Sequence, residues 1–336
     1  MVGIETEALI SSPHSLSADG QAGVRGPALR AVERCPACGG TSFKPFSYTV
    51  EAERNRHMHF AQTRCRQCDL VFSNPVASPA ALDTFYRSKY YEEHEQVYNA
   101  HRPDIEEIIR DRARGEARGL RQSVIPYVAG GTFFEIGAGY GALLAGAREL
   151  GFEVAGVEPS DRAAMFARDV MGLEGVRHGV FNAADWRANA YDVVYSFQVI
   201  EHVPDLHEFV GGIVRLLKPG GLTIIGTENH HNAWVVTRRL RSWLKGRRLP
   251  EFQTADHHTV YFSERSLCGL VKRHGLRVEK SLVYTPSLAE KLPEYRFRHW
   301  YSKLAFYLLH YADEWTGRGG RLLVWCRKPA EPRPAT

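Results

Sequence analysis

The sequence predicts an α/β fold: a doubly wound, mainly parallel sheet of seven strands, with a small separate module in front of it. Two observations support this fold class. From residue 131 onward, short apolar runs typical of buried strands alternate regularly with segments of helical periodicity. Near residue 137, one such run leads into three alternate glycines and then into a helix-forming segment. Strands separated by helices imply right-handed crossovers and parallel pairing.

Each predicted element has its own local signal. Pro103 fits the start of a helix within residues 103–128, because proline is favoured in the first helical turn. Ser263 is a typical cap for a later helix. The last two strands are joined by a helical connection and should form an edge hairpin. The predicted strands are the one before the glycine turn, then 152–158, 176–181, 192–197, 222–226, 276–283 and 321–326, and the predicted helices are 161–171, 206–217, 263–274 and 302–315.

The composition is that of an ordinary globular protein. Of 336 residues, 44% are hydrophobic and 24% are charged, which suits one large domain and a smaller one. No uninterrupted apolar run reaches the ~18 residues of a membrane span, and residues 1–21 lack the pattern of a signal peptide. We therefore expect a cytoplasmic protein. The net charge of +5 does not by itself imply nucleic acid binding.

The chain divides into segments of different character. The leader is rich in Ser, Ala, Gly and Pro without a sustained period, so we expect it to be disordered. A later segment interrupts the alternation after the fifth strand, where ligands bind in open α/β sheets, and is predicted to form a lid or acceptor insertion. The predicted segments are a disordered leader (1–30), a zinc ribbon (31–75), a helical connector (76–103), the sheet domain (104–229 and 263–328), the insertion (230–262) and a disordered tail (329–336).

Four of the six cysteines form two C-x-x-C pairs, Cys35 with Cys38 and Cys65 with Cys68. In a chain without a signal peptide this pattern favours a metal over disulfides. Two tight turns that each present two thiolates can close a tetrahedral Zn²⁺ site with a hairpin between them. Four protein ligands fill the coordination sphere, so the ion should be structural. The alternative is four reduced or redox-active thiols.

The glycine turn admits more than one ligand. Gly137-x-Gly139-x-x-Ala142 satisfies the dinucleotide fingerprint, and Glu158 lies about 20 residues further on, where an acid would hold a ribose hydroxyl. An NAD-dependent oxidoreductase is therefore one alternative. Glu135 on the strand before the turn argues against it, since this carboxylate could face a cationic ammonium group. Further motifs are I-E-H-V at the end of the fourth strand and L-L-K-P-G-G before the fifth.

Together these motifs resemble the class I methyltransferases that use S-adenosylmethionine. The order and spacing of E-I-G-x-G-x-G, V-E-P, Y-D-V-V, I-E-H-V and L-L-K-P-G-G match from about residue 104 to 327. The resemblance implies a Rossmann-like methyltransferase fold. It also implies that the glycine turn packs against the cofactor, that Glu135 lies near its methionyl end and that Glu158 binds both ribose hydroxyls. The turn residues concerned are Gly137, Ala138, Gly139, Tyr140 and Gly141.

The remaining cofactor contacts follow from the same resemblance. The adenine ring should lie after the second and third strands, with Pro159, Phe181 and Asn182 as candidates. Asp185 could accept the adenine amino group or could cap a short helix at Trp186. Phe197 and Gln198, at the end of the fourth strand, should face the reacting methyl group.

The ribbon joined to such a domain further resembles bacterial small-molecule methyltransferases, including C-methyltransferases of deoxysugar biosynthesis. In those enzymes a segment like E-H-x-x-Y-F-S follows the fifth strand, and its histidine is the proposed base. Here His258 takes the base position and His257 replaces the acid. The glycine turn also departs from theirs, because it lacks an Asn-Asp pair. The expected acceptor is a small molecule, namely a sugar, nucleotide sugar, glycan or secondary metabolite.

Histidine titrates near neutral pH and suits a general base. We expect the base to be His258, with His202 as the second candidate and His257 as a further catalytic candidate. The alternative for His202 is a structural role. A second function remains open, an RNA methyltransferase in which the ribbon and the basic run at 238–248 hold phosphates. An amphipathic lid helix explains the basic run equally well. A non-catalytic scaffold is the remaining alternative.

Overall fold

The computed structural model describes residues 29–53, 56–77, 104–246, 251–252, 258–286 and 300–330. Most of the predicted leader, connector and tail lie outside these residues, as do His257 and the end of the basic run. The described chain forms a seven-stranded sheet, a five-stranded sheet and a two-stranded pair. None of the described helices is both long and apolar enough to cross a membrane.

The strands of the seven-stranded sheet are β6 (Gly131–Ile136), β7 (Phe152–Glu158), β8 (Val176–His178), β9 (Tyr191–Phe197), β10 (Leu217–Glu228), β13 (Arg277–Tyr284) and β14 (Arg321–Arg327). Their order across the sheet is β13-β14-β10-β9-β6-β7-β8. Strands β6 to β10 run parallel, whereas β14 is antiparallel to both of its neighbours, β10 and β13. The predicted doubly wound fold and its edge hairpin are confirmed.

In the described part of the chain, seven α-helices connect or flank these strands. They are α1 (Ile105–Ser123), α2 (Ala142–Glu149), α3 (Asp161–Met165), α4 (Leu206–Leu216), α5 (Ala233–Leu244), α6 (Glu264–Arg273) and α7 (Trp300–Thr316). Ser263 caps α6 as predicted, because its hydroxyl accepts from the Ser266 backbone N–H. The predicted helix at 161–171 is instead a short α-helix followed by a π-helical turn, Phe166–Val170.

Two strands differ from the predicted bounds by more than one residue at an end. The third strand stops at His178, since Gly179 has a φ of 149° that breaks the extended run. The fifth strand is longer than predicted because Leu217, before the Lys-Pro-Gly-Gly turn, already pairs with Tyr191 of β9. Neither difference changes the order of the sheet.

The core lies on both faces of the large sheet. Alternate residues of a strand point to opposite faces, so Phe133 and Phe134 of β6 belong to different clusters. Phe133 packs with α1, α2 and β14 through residues such as Ile109, Leu144 and Trp325. Phe134 packs on the other face, toward α4 and α6. Burying both faces is what a parallel sheet requires.

The five-stranded sheet contains the cysteine ribbon and parts of the insertion. Its order is β11-β2-β3-β4-β12, where β2 (Phe43–Glu53) and β3 (Arg56–Cys65) form the hairpin predicted between the C-x-x-C turns. The strand β4 (Val71–Ser73) follows. The insertion supplies both edge strands, β11 (Glu251–Phe252) and β12 (Val260–Tyr261). A further pair, β1 (Leu29–Arg30) and β5 (Val76–Ala77), joins the two ends of the ribbon.

The ribbon is not a separate body, because it shares a hydrophobic core with the sheet domain. Cys35, Cys65, Leu70 and Phe72 are buried in the same cluster as residues of α6 such as Leu267 and Leu270. Arg265 of α6 also donates to the Gln67 carbonyl between the second pair of cysteines. The ribbon is therefore held in a defined position beside the carboxyl ends of the sheet.

Candidate functional site

The glycine turn joins β6 to α2 in a left-handed backbone conformation. The φ angles of Gly137, Gly139 and Gly141 are 81°, 51° and 83°, a region that residues with a Cβ rarely adopt. At Gly137 a Cβ would lie 2.6 Å from Val199 Cγ2, so a side chain is also excluded by packing. At Gly139 no described atom lies within 4 Å of the Cβ position. The turn therefore has an open side at Gly139 on which a ligand can rest.

Glu158, the last residue of β7, supports this turn. Its Oε2 accepts from the Gly139 backbone N–H at 2.7 Å, and its Oε1 accepts from the Ser160 N–H at 2.8 Å. Burial raises the pKa of Glu158, while the two N–H groups act in the opposite direction. The structure thus brings two of the predicted cofactor residues into direct contact.

Glu135 lies in the middle of the buried sheet. It is 7% exposed, and its Oε2 has no hydrogen-bond partner among the described residues. Burial raises the pKa of Glu135 well above its ordinary value, and the nearby Glu116 and Glu158 act in the same direction. A buried carboxylate oxygen without a partner is costly. A cationic group bound beside the turn would provide the partner.

The predicted adenine contacts lie after β7 and β8. The Phe181 ring packs 6.4 Å from Phe134 and 5.7 Å from Phe209, so it belongs to the aromatic core on this face. Asn182 caps a short 3₁₀ helix, Ala183–Asp185, by accepting from the Ala184 N–H at 3.0 Å. Asp185 is the last residue of this helix and Trp186 after it is extended, so Asp185 does not cap a helix at Trp186. The adenine contacts themselves stay predictions.

Two further residues predicted to contact the cofactor interact with other parts of the protein. The Pro159 carbonyl lies 3.1 Å from His178 Nε2, and the Tyr140 ring packs edge-on against Phe166 at 5.2 Å. The glycine turn, β7 and the π-helical turn thus meet at one edge of the sheet.

A charged cluster lies at the carboxyl ends of β9 and β10. His258 Nδ1 lies 3.3 Å from Glu228 Oε2, and Arg321 lies 3.4 Å from Glu228 Oε1. The His202 ring packs edge-on against His258 at 4.7 Å. Glu201 accepts from the Thr227 hydroxyl at 2.9 Å, and its backbone carbonyl accepts from the Thr259 N–H at 3.1 Å. Two predicted base candidates are therefore in contact.

His258 and Glu228 shift each other's pKa in opposite directions. Burial alone would lower the pKa of His258, but the hydrogen bond to Glu228 and the charges of Glu228 and Glu201 raise it above its ordinary value. Burial would raise the pKa of Glu228, but His258 and Arg321 hold it below its ordinary value. For Glu201, in contrast, burial outweighs the opposing interactions, so its pKa is raised.

Sequence reasoning missed Glu228 and Arg321. They form a cross-strand pair at the ends of β10 and β14. Glu228 could have been found, since it ends a parallel strand on the side where ligands bind. Arg321 begins a strand, and it reaches this edge only because β14 runs antiparallel to β10.

Phe197 and Gln198 border the same cluster, as their position after β9 predicts. Arg321 lies 5.7 Å from the centre of the Phe197 ring. Gln198 has a φ of 56°, and with its amide oxygen turned toward Arg321 it accepts from that guanidinium. The cluster therefore adjoins the predicted position of the reacting methyl group.

The cysteine tetrad has the dimensions of a zinc site. The Sγ atoms of Cys35 and Cys68 are 3.5 Å apart, those of Cys38 and Cys65 are 3.6 Å apart, and all four lie within 4.8 Å of one another. A tetrahedral site with Zn–S bonds of about 2.3 Å requires S···S distances of about 3.8 Å. The Gly40 N–H also points at Cys38 Sγ, at 3.4 Å. The donor set fits Zn²⁺.

Two other clusters have ligand atoms at similar separations, Glu201 with His202 and His258, and Asp69 with His230 and His231. In both, the carboxylate already accepts hydrogen bonds from the protein. Glu201 accepts from Thr227, and Asp69 pairs with Arg64 and with His231 Nε2 at 2.6 Å. Bonds within the chain explain the Asp69 cluster, whereas in the other cluster Glu201 Oε1 is buried and has no hydrogen-bond partner among the described residues.

Comparison with known proteins gives a family and several relatives. A family model described as "Methyltransferase domain" matches residues 109–281, just over half of the chain. The C-methyltransferase NovU of Streptomyces niveus is 31% identical over 219 residues, which are 64% of this chain and 46% of that protein. A ubiquinone biosynthesis O-methyltransferase of Paramagnetospirillum magneticum is 33% identical over 128 residues, 35% of this chain and 49% of that protein.

The chain therefore spans about half the length of these curated relatives. Among solved structures, a SAM dependent methyltransferase from Archaeoglobus fulgidus aligns with a TM-score of 0.46 at 17% identity, covering 71% of this chain and 100% of that one.

Proposed function

The chain belongs to the methyltransferase-domain family, and from this we propose that it transfers a methyl group from S-adenosylmethionine to a small-molecule acceptor. The observation that carries the proposal is the pair of buried acids around the glycine turn. Glu158 holds the turn through Gly139, and Glu135 keeps a carboxylate oxygen without a partner beside it. A ligand with ribose hydroxyls and an ammonium group would match both acids.

The turn and the two acids would hold the cofactor. S-adenosylmethionine supplies an activated methyl group on a sulfonium, and most of what the protein must add is alignment. Glu135 would pair with the ammonium group of the methionyl part, and Glu158 would accept from the ribose hydroxyls. The open side of Gly139 allows close approach of the ligand to the backbone.

His258 is the proposed general base. In its neutral form it would remove a proton from a hydroxyl or an acidic carbon of the acceptor. Glu228 accepts at Nδ1, which orients the ring and leaves Nε2 for the acceptor, and it stabilises the imidazolium that forms. Arg321 in turn holds Glu228. His202, edge-on against His258, is the second candidate, and His257 stays a prediction outside the described residues.

The acceptor class is proposed from the relatives. One is named a C-methyltransferase and the other a ubiquinone biosynthesis O-methyltransferase. We propose a sugar, nucleotide sugar, glycan or secondary metabolite as the acceptor. For the RNA alternative, Arg238 and Arg239 lie over the rings of Trp234 and Phe46, at 4.6 and 4.7 Å, so part of the basic run packs on the protein itself. No observation favours RNA over a small molecule.

We also propose that the cysteine tetrad holds one structural Zn²⁺. The four thiolates fill its coordination sphere, so the ion would stabilise the ribbon and take no part in methyl transfer.

Calorimetry tests the cofactor assignment. The intact chain should bind S-adenosylmethionine and S-adenosylhomocysteine and should not bind NADH. Glu158→Ala should weaken S-adenosylhomocysteine binding at least ~100-fold, because two charge-assisted hydrogen bonds are lost.

The control is Glu153→Ala, an exposed acid on the same strand, which should leave the affinity unchanged. Circular dichroism would check that both variants are folded. Binding of NADH without binding of S-adenosylhomocysteine would overturn the proposal.

A further inference from the structure

Two helices carry most of the exposed apolar side chains. Fifteen large hydrophobic residues are exposed in the described part of the chain, and ten of them lie on α5 and α7. Trp243 of α5 is 71% exposed and Trp315 of α7 is 90% exposed. Concentrated exposure of this kind marks interaction surfaces in soluble proteins. The ten residues are Trp234, Val236, Leu240, Trp243, Leu244, Trp300, Leu304, Leu308, Tyr311 and Trp315.

The exposed residues of α7 form one continuous stripe. They follow at intervals of four, four, three and four residues, which places them on a single face of the helix. The residues buried against the protein include His310 and Asp313, which are polar. Phe306, Tyr307 and Leu309 are half-buried on the same side of the helix. The helix therefore packs by one side and presents the stripe as a second apolar side to solvent.

On α5, Val236, Leu240, Trp243 and Leu244 also share a face, and no residue of this helix is fully buried. The helix α5 contacts the rest of the protein through other residues. Val235 packs on the cluster of Phe46 and Val71, and Arg239 lies over the Phe46 ring. The apolar stripe of α5 is thus free of the contacts that hold the helix.

The two helices are neighbours beside the candidate site. Asp313 of α7 accepts from the backbone N–H of Ala233, the first residue of α5, at 2.5 Å. The helix α5 begins five residues after Glu228, and α7 ends five residues before Arg321. Their surface therefore borders the acceptor side of the sheet.

The charge of this surface indicates what kind of partner it binds. Residues 233–246 contain four basic residues and no acidic one, and two of the four, Arg241 and Lys245, are exposed. The helix α7 adds one exposed base, Lys303, and one exposed acid, Glu314, so the surface keeps a positive charge. A second copy of this face would bring this positive charge against its equivalent, which is unfavourable. An anionic bilayer suits both features, because Trp prefers the headgroup region, Leu and Val enter the acyl boundary, and Arg and Lys pair with lipid phosphates.

We propose that α5 and α7 form a peripheral membrane-binding surface that lies on an anionic phospholipid bilayer without crossing it. The proposal does not depend on the methyl acceptor.

Vesicle co-sedimentation with the intact chain tests it. We expect binding to vesicles that contain phosphatidylglycerol and at least ~10-fold weaker binding to phosphatidylcholine alone, because each basic residue near the surface adds attraction to anionic lipid. Raising the salt concentration should weaken the binding in part, since the apolar contribution is not screened.

Charged substitutions on the stripes provide the matched test. Trp243→Glu with Leu244→Glu on α5, and separately Trp315→Glu on α7, should each reduce binding at least ~10-fold. Ile108→Glu on α1 is the control, since this residue is exposed and apolar but lies on another helix. Its binding should equal that of the unmodified chain.

Four outcomes would overturn the proposal. One is no binding to phosphatidylglycerol vesicles, and another is equal binding by the stripe variants. A lowered melting temperature in the stripe variants would show that another part of the same chain covers the face. Concentration-dependent dimers, or RNA binding, in place of vesicle binding would assign the surface to those partners.

Discussion

Glu228 is the residue on which the proposed base depends, because it accepts at one nitrogen of His258 and leaves the other for the acceptor. It acts through His258 and is a positioning residue. The groups that face His258 are Glu228, Glu201, Arg321, the His202 ring and the Tyr261 ring.

Glu228→Gln should lower the pKa of His258. Burial and Arg321 both favour the neutral ring, and the substitution removes the hydrogen bond and the charge of Glu228, the largest of the effects that oppose them. We therefore expect a decrease in this pKa. NMR titration of the histidine ring protons measures it, with His258→Gln to assign the signal.

The pH dependence of the methyl-transfer rate follows from this change in the pKa of His258. The base must be neutral, so methyl transfer should rise with pH through the pKa of His258, and the rise should occur at lower pH in Glu228→Gln. The maximal rate should nevertheless fall, because the neutral amide stabilises the imidazolium less than the carboxylate does. Glu279→Gln is the control, since its carboxylate pairs with Arg277 and Arg327 instead. An unchanged His258 pKa in Glu228→Gln would show that Glu228 and His258 do not form the proposed pair.

At the scale of elements, the contact of α1 with α2 places the helix that follows the glycine turn. Gly146 of α2 lies against the α1 backbone, and a Cβ there would be 2.8 Å from Ala113 O and 2.8 Å from Ala117 N. Glycine thus lets the two helices approach to backbone contact. Gly119 on α1 has no neighbour within 4 Å of its Cβ position among the described residues.

Gly146→Ala and Gly119→Ala should have opposite effects on stability. Alanine at 146 must push backbone apart, which should lower the free energy of unfolding by about 1–3 kcal/mol. Alanine at 119 clashes with no described atom and has a higher helix propensity than glycine. It should therefore raise the free energy of unfolding by about 0.5–1 kcal/mol. Urea unfolding of both variants measures the difference. Equal stabilisation by both substitutions would show that α1 and α2 are not in close contact.

At the scale of the whole molecule, the ribbon is coupled to the candidate site. The strand β4 of the ribbon pairs with β12, and the Ser73 N–H donates to the Thr259 carbonyl at 3.0 Å. Thr259 in turn donates to the Glu201 carbonyl. His258 therefore sits at the end of a strand that the ribbon holds. Zinc in the ribbon would support the base without touching it.

Cys35→Ser should release the proposed zinc and lower the melting temperature, because the binding energy of a structural site contributes to folding. Methyl transfer should fall more than affinity for S-adenosylhomocysteine, since among the described residues the ribbon bonds to α6 and β12, whereas Glu158 bonds to the glycine turn. Metal analysis, thermal unfolding and calorimetry measure the three quantities.

Cys268→Ser on α6 serves as the comparison and should keep full metal content. Full zinc content in Cys35→Ser would mean that the tetrad is not the metal site.

The fold was largely predictable from the sequence, and the candidate site was predictable only in part. The glycine turn, Glu135 and Glu158 lie within 24 residues of one another, so one strand, turn and strand carry them. His202 and His258 were found from motifs. Arg321 was not, because its strand had to be antiparallel before its first residue could reach this edge. The pairing of the insertion with the ribbon was missed as well, since its edge strands have two residues each.

By itself, the sequence determined the alternation of strands and helices, the glycine turn with its acids and the four cysteines, because these signals are local and depend on burial and backbone conformation. Only the tertiary structure decided the cluster of His258, Glu228 and Arg321, the docking of the ribbon and the outward apolar faces of α5 and α7. The physical reason is that periodicity reports which face of an element is apolar, whereas strand order and direction decide which distant residues meet.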